Sequence, residues 1–349
     1  MAPPQNLLRR AGQHLARRPS PYLRPVAAHI QGRIQSSRLA FIQFEHTANS
    51  YYLKLAGKIP TVLSLHNVDS DMLRTLAAAQ TPGSLAWLRM WNRFHAMRVT
   101  ERRAAKAADA VLCVSTDDAS AFEHIARRRV LVPNGVDDEF FDVPAELPSS
   151  DSVIFVGKFD YEPNAIGIVR FLREGWPRVL GRKPRARLRL VGPGMGDKTA
   201  TLARSTPGVE VVGPVERVDA ALADATVNVV PIWQGGGTRL KVLEGLAAAR
   251  PVVGTSLGVS GIGFEADRHG LVAETPATLA DAIVALLTDR PRAVALARAG
   301  RQLAEQFRWQ RTLRPAEELY RAWIERARSG PVRPADRDGR RPATSEFRA

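Results

Sequence analysis

Cysteine is nearly missing from this chain: Cys113 is the only one in 349 residues, so no internal disulfide can form. It lies in the apolar run AVLCVS (110–115), where a thiol acts as a small buried hydrophobe, and a reducing, cytoplasmic setting is expected. Long apolar runs are missing too. No stretch approaches the roughly 18 consecutive apolar residues of a membrane-spanning helix, so any membrane contact is expected to be peripheral, at the inner face of the plasma membrane. There are no paired Cys/His ligand sets, no aromatic ribonucleoprotein motif and no basic helix with a heptad zipper, which leaves nucleic acid without a recognition element. A P-loop, a serine nucleophile elbow and a zinc-binding helix motif are likewise absent.

Acids are scarce at the two ends. Residues 1–38 hold seven arginines and no acid, and residues 326–349 hold seven arginines against Asp336, Asp338 and Glu346. These segments carry eleven of the fifteen net positive charges, so the body between them is close to balanced. Solvated basic tails account for the charge better than a polyanion-binding face does. The first segment has the composition of an organelle transit peptide, but Pro19, Pro21 and Pro25 would interrupt the amphipathic helix such a peptide needs. The Pro-, Arg- and Asp-rich tail after Gly330 reads as disordered.

Short β-branched runs alternate with longer Ala-, Leu- and Arg-rich segments, the pattern of an α/β fold with parallel sheets. Strands are predicted at 39–45, 60–66, 110–115 and 129–134, and again at 152–157, 186–192, 209–213, 227–231, 250–255 and 270–274. Between the two series, DDEFFDVPAELPSSD breaks both periodicities and marks a linker. The reading is therefore an Arg-rich segment (1–38), a first domain (39–137), a linker (138–151), a second domain (152–310), a C-terminal helix (311–325) and a basic tail (326–349). Two doubly wound domains facing each other follow. In such sheets ligands bind beyond the carboxyl ends of the strands, which directs attention to Glu45, His46, His66, Asn67, Ser115, Gly157, Lys158, Gly192 and the glycines after residue 234.

The richest stretch is GGGTRLKVLEGLAAARPVV (235–253). Three glycines lead into a helix whose first turn carries Thr238, Arg239 and Lys241, so exposed amides, the positive end of the helix dipole and two cations converge on one spot. Leu240, Leu243 and Ala247 fall on one predicted buried stripe, and Glu244 lies at its edge. A carboxylate there is costly unless something donates to it; sugar hydroxyls or the neighbouring Lys241 would each serve. His66 ends the strand PTVLSLH, where a lone histidine can be a functional group or simply structural. Trp87, Trp91, Phe94 and Arg98 recur at helical spacing among Arg89, Arg93, Arg102 and Arg103; the stripe reads as core, with a membrane-facing basic surface as the rival.

From about residue 39 to 325 the chain resembles the retaining GT-B glycosyltransferases of family 4, in particular the branch found in exopolysaccharide biosynthesis. PNGVD (133–137), VIFVGKFDYEPN (153–164), LRLVGPGM (188–195) and the stretch at 235–253 match the family in order and spacing. The resemblance implies two facing Rossmann-like domains and metal-independent transfer of a sugar to an acceptor hydroxyl with retention of configuration. It implies no cofactor, a nucleoside-diphosphate sugar being the co-substrate. It assigns Glu244 to the nucleotide ribose, and Gly157, Lys158, Gly192, Gly236, Gly237, Thr238, Arg239, Leu240 and Lys241 to the donor nucleotide. Lys158 and Arg239 would steady the departing diphosphate. His66 would face the transferred sugar, with Glu45, His46 and Asn67 on the acceptor side. The acceptor itself stays open, a lipid-linked glycan being one candidate.

Two positions depart from the family pattern. Gly236 stands where many members have a second glutamate, and Asn164 stands where many carry a lysine for the diphosphate, so Arg239 or Lys241 is expected to supply that charge. Family members also open with a strand, a Gly-rich loop and a helix that are not recognisable before Leu39, and the first domain is expected to be shortened. The alternative function is accordingly a truncated or degenerate GT-B protein that binds nucleotide without transferring sugar. A dinucleotide-binding oxidoreductase fits poorly, because GPGMG (192–196) lacks the third glycine at the required spacing. A sugar-nucleotide epimerase fits less well than the transferase, since GTRLK stands where such enzymes have an acidic helix entry.

Overall fold

The computed structural model describes residues 24–78, 80–235 and 240–329. The basic tail from residue 330 onward and the loop residues Gly236, Gly237, Thr238 and Arg239 lie outside the described residues. All ten predicted strands are present, in two parallel sheets.

The first sheet comprises β1 (Ile42–Glu45), β2 (Thr61–Leu65), β3 (Ala110–Cys113) and β4 (Arg129–Leu131), in the order β1-β2-β3-β4 without a reversal. Helix α1 (Arg24–Ser36) precedes β1, and a 3-10 segment (Thr47–Ala56) follows it. Helices α2 (Asp69–Ala78) and α3 (Leu85–Ala107) pair as a hairpin, with the Glu101 carboxylate of α3 accepting from the backbone N–H of Ser70 at the start of α2. Short helix α4 (Thr116–Ala121) begins at Ser115, whose hydroxyl accepts from the Asp118 N–H. One face of this sheet presents Phe44, Leu63, Leu65, Val111 and Cys113 to α3, the 3-10 segment and Ala27 and Ile30 of α1. Burial pushes the Cys113 thiol up to about 12, which keeps it an inert core residue.

Strand alternation sends Val62, Ala110, Leu112 and Val130 to the opposite face, which is covered by Ala316 and Leu319 of the last helix of the chain, α13 (Arg314–Ser329). That helix was predicted to end at residue 325; it runs on to Ser329. Phe41, just before β1, stacks on Tyr320 with ring centroids 4.7 Å apart.

The second sheet has β5 (Ser152–Val156), β6 (Arg187–Val191), β7 (Val209–Gly213), β8 (Val227–Val230), β9 (Val252–Gly254) and β10 (Gly270–Val272), ordered β10-β9-β8-β5-β6-β7. The order reverses between β5 and β8, which makes a doubly wound sheet with a crevice at that switch point. Its helices come from its own stretch of chain: α5 (Glu162–Glu174), α6 (Trp176–Arg182), α7 (Asp197–Ser205), α8 (Val218–Ala223), α9 (Leu240–Ala247), α10 (Pro276–Thr288) and α11 (Arg290–Ala304). β5 is buried at every residue, as a central parallel strand must be. α10 starts with a capping box between Thr275 and Thr278 and with Pro276 in its first turn, so the sequence itself stops the preceding chain and starts the helix.

The linker is not a loose tether. Phe140, Val143 and Leu147 are buried, and four arginines of the second domain hold the linker, three by its carbonyls and one by a carboxylate. Arg250 donates to Pro144 and Glu146, Arg301 to Phe141 and Val143, and Arg290 to Leu147 and Pro148, while Arg308 pairs with Asp138 and lies 3.6 Å over the Phe141 ring. Val136 closes the strap through its N–H to the Phe307 carbonyl at 2.7 Å. A short helix, α12 (Trp309–Thr312), then leads into α13.

The aromatic stripe of α3 faces inward: Phe94 is buried, and Trp87 and Trp91 are half-buried. The outer surface of the same helix exposes Leu85, Leu88 and Val99 beside Arg89, Arg93 and Arg103, with no acid among them.

Candidate functional site

The carboxyl ends of β5, β6 and β8 meet at a corner built from glycine. Gly157 follows β5 and Gly192 follows β6; a Cβ on Gly192 would come within 2.0 Å of the Gly157 carbonyl oxygen, and its φ of +137° is open only to glycine. A Cβ on Gly157 would sit 2.9 Å from the Lys241 ammonium and 2.8 Å from Asn164 Nδ2. Missing side chains thus make the room that Lys241 fills.

Lys241 lies in the first turn of α9. Its ammonium donates to Asn164 Oδ1 and stands 4.8 Å from the centre of the Phe155 ring. Asn164 is buried near the start of α5 and donates in turn to the Lys158 carbonyl at 2.7 Å. Of the two cations considered for the charge missing at Asn164, the structure places the Lys241 ammonium against the Asn164 side chain, and Arg239 lies outside the described residues. Lys158 is exposed at the strand end, and its ammonium makes no ion pair among the described residues. Helix α9 is held to β8 by Asn228, a fully buried side chain whose amide donates to the Lys241 carbonyl at 3.0 Å and presses on Gly245.

Glu244 lies one turn further along α9, half-buried, and no described residue gives it a hydrogen bond or an ion pair. Burial drives its carboxyl up to about 7; the Lys241 charge pulls it back down in part, and the Asp137 charge at the end of the first domain adds to the rise. The helix pair with Lys241 that could have satisfied it does not form, because the lysine is committed to Asn164. Leu240 corrects the predicted stripe. It is 43% exposed at the first residue of α9, whereas Leu243, Val242 and Ala247 are fully buried. A helix's first residue extends past the strand end it packs on, so the apolar stripe begins one turn later.

The first sheet presents a second cluster. The Glu45 carboxylate accepts from His66 Nε2 at 2.9 Å and from the Gln43 amide. Partial burial raises the Glu45 carboxyl, but hydrogen bonds from Gln43, Ser64 and His66 outweigh that and hold it below the usual carboxylate range. His46 lies over the His66 ring, centroids 4.3 Å apart and planes tilted by 30°. The backbone at His46 has φ +62° and ψ +151°, a conformation nearly reserved for glycine that costs on the order of 1–3 kcal/mol. Asn67 is half-buried beside His66. The structure therefore brings Glu45, His46 and His66 together at one strand-end cluster, and Gly157, Gly192, Lys241, Asn164 and Glu244 at another. Asn164 and Gln43 were not predicted as site residues; the only sequence signal for Asn164 was its place where a lysine is usual.

Two glycosyltransferase family models match successive parts of the chain: "Glycosyltransferase Family 4" over residues 4–140 and "Glycosyl transferases group 1" over residues 150–289. The first reaches well into the arginine-rich segment. No curated protein matches the sequence. Among solved structures the chain is similar to a sucrose-phosphate synthase from Thermosynechococcus elongatus, with a TM-score of 0.68 at 20% identity, covering 87% of this chain and 78% of that one. It is similar also to HepE of Anabaena in complex with UDP, with a TM-score of 0.65 at 13% identity, covering 87% and 84% of the two chains. A third is TarM of S. aureus, solved with alpha-GlcNAc-glycerol and UDP, at 0.63 and 13% over 84% of this chain and 58% of that one. With family models on both halves and two parallel α/β sheets in the GT-B arrangement, the chain is a glycosyltransferase of the GT-B fold.

Proposed function

We propose that the protein moves a sugar from a nucleoside-diphosphate sugar to an acceptor hydroxyl, with retention of anomeric configuration, in the synthesis of a polysaccharide or glycoconjugate. The observation that carries the reading is Glu244: a half-buried carboxylate with no donor from any described residue, beside the glycine corner and the Lys241 ammonium. A ribose offers two adjacent hydroxyls, the donors such a carboxylate lacks, and a diphosphate attached to it would reach the cationic corner. In this reading Lys158, Lys241 and the loop residues 236–239 meet the diphosphate and stabilise the charge that develops as it departs, so transfer needs no metal and survives a chelator. HepE and TarM were solved with UDP, which makes UDP the first ligand to try.

His66 would lie against the transferred sugar, with Glu45, His46 and Asn67 on the acceptor side. The acidless outer surface of α3, with exposed Leu85, Leu88 and Val99, supports peripheral contact with an anionic membrane and a lipid-linked acceptor. The single buried thiol fits a cytoplasmic setting.

The test is calorimetric titration of UDP, GDP and ADP into the wild type and Glu244→Ala. One of the three should bind the wild type, and the variant should bind it roughly 30-fold more weakly, the loss of about 2 kcal/mol expected for hydrogen bonds to a charged group. Equal affinity for both proteins would remove the ribose from Glu244.

A further inference from the structure

His66 does not stand alone at the end of β2. A chain of hydrogen bonds runs to it from a helix far along the sequence: the Tyr320 hydroxyl of α13 donates to Gln43 Oε1, Gln43 Nε2 donates to Glu45 Oε1, and Glu45 Oε2 meets His66 Nε2 at 2.9 Å. Gln43 and Glu45 lie two residues apart on β1, so their side chains share one face of the strand. Phe41 lies two residues earlier on the same alternation and stacks on Tyr320, which seats the hydroxyl over Gln43. Burial raises the tyrosine hydroxyl above its ordinary range, and the Glu45 charge adds to the rise, while the Gln43 bond opposes it.

The direction of this chain is fixed by chemistry. An ionised carboxylate only accepts, and the Glu45 carboxyl is held below the usual carboxylate range, so both of its neighbours must donate. Gln43 must then turn its nitrogen to Glu45 and its oxygen to Tyr320, and His66 must carry its proton on Nε2. In the neutral ring Nδ1 is left as the acceptor. The His46 ring, brought over His66 by its strained backbone, restricts the ring from the other side.

We propose that Tyr320, Gln43 and Glu45 are positioning residues that set the His66 tautomer from the C-terminal helix, so that His66 offers Nδ1 to its substrate as a hydrogen-bond acceptor. The ligand class that fits is a hydroxyl group, which donates to a bare ring nitrogen; a carboxylate or phosphate oxygen could not. The substrate side of this inference rests on the glycosyltransferase reading, whereas the tautomer does not. It follows that α13 does more than cover the first sheet: its seating on β1 orients the Gln43 amide and, through it, the Glu45 carboxylate that receives the Nε2 proton of His66.

The test reads the ring nitrogens of His66 directly, by long-range proton–nitrogen correlation on the full chain above the imidazole titration range, with His66→Ala to assign the signals. The wild type should show a single tautomer with protonated Nε2 and bare Nδ1. Tyr320→Phe keeps the ring that stacks on Phe41 and removes only the hydroxyl; it should convert the single-tautomer pattern to an averaged mixture, as should Gln43→Ala at an exposed strand position. A wild-type ring protonated on Nδ1 would overturn the proposal. So would a pattern that Glu45→Ala changes while Tyr320→Phe and Gln43→Ala leave it untouched, since the relay would then end at Glu45. The measurement uses no nucleotide, so it stands or falls apart from UDP binding.

Discussion

The two sheets solve the same packing problem in opposite ways. The second sheet buries both faces with helices from its own stretch of chain, and its doubly wound order places a switch point beside β5 and β8, where Gly157, Lys241 and Glu244 gather. The first sheet covers one face with its own helices and closes the other with α13, a helix the chain delivers only after the second domain is complete. One half is self-contained and carries its chemistry in contiguous motifs. The other is finished from a distance, and its strand-end cluster is wired to the helix that finishes it.

The largest effect should come from taking that helix away. A chain ending at Leu313 exposes the face formed by Val62, Ala110, Leu112 and Val130, and its first domain should lose on the order of 5 kcal/mol while the second keeps its own transition. Hydrogen exchange resolved by segment would separate them: fast exchange through β1–β4 with β5–β10 protected is the expected pattern. Simultaneous loss of protection in both sheets would mean that the second domain is not self-contained. Leu319→Ala probes the same seat more gently, with an expected loss of about 2–5 kcal/mol.

Gly192→Ala tests the glycine corner of the second sheet. Its Cβ would collide with the Gly157 carbonyl at a φ that L-residues avoid, so a loss of at least about 3 kcal/mol is expected in chemical denaturation. Gly181, whose Cβ would meet nothing, serves as the control and should tolerate alanine within about 1 kcal/mol.

Glu244→Gln should move stability the other way. The folded carboxyl titrates at about 7 against an ordinary 4.5, so the folded state keeps a proton that the unfolded chain releases. The resulting penalty is absent below pH 4.5, grows between 4.5 and 7 and is complete above 7, where it amounts to at most about 3 kcal/mol. Glutamine should therefore raise the melting temperature at pH 8 and leave it little changed at pH 4. A lower melting temperature at pH 8 would mean that the carboxylate has a structural partner after all.

The same contrast explains what could be read from the sequence. All ten strands were legible, because buried parallel strands are short apolar runs between breakers. The glycine corner and the start of α9 were legible because they sit in local motifs, and the departure at Asn164 drew attention to Lys241, which the structure sets against it. Leu240 was misplaced because helical periodicity says which face a residue takes but not where the covering sheet stops. The linker's prolines and serines read as a break. That Arg250, Arg290, Arg301 and Arg308 hold it to the second domain depends on hydrogen bonds across more than a hundred residues, which no local pattern reports. The Tyr320–Gln43 bond spans 277 positions and was invisible for the same reason.

The central claim is that Glu244 is a carboxylate waiting for hydroxyl donors, and proton counting during UDP binding tests it most directly. At pH 7 about half of the free protein carries the Glu244 proton, and donors from a ribose would pull the carboxyl down and expel it. Calorimetry in buffers of different ionisation heat should register release of about half a proton per UDP bound by the wild type and none by Glu244→Gln. UDP binding to the wild type with no proton released, or with the same release in the variant, would contradict the account.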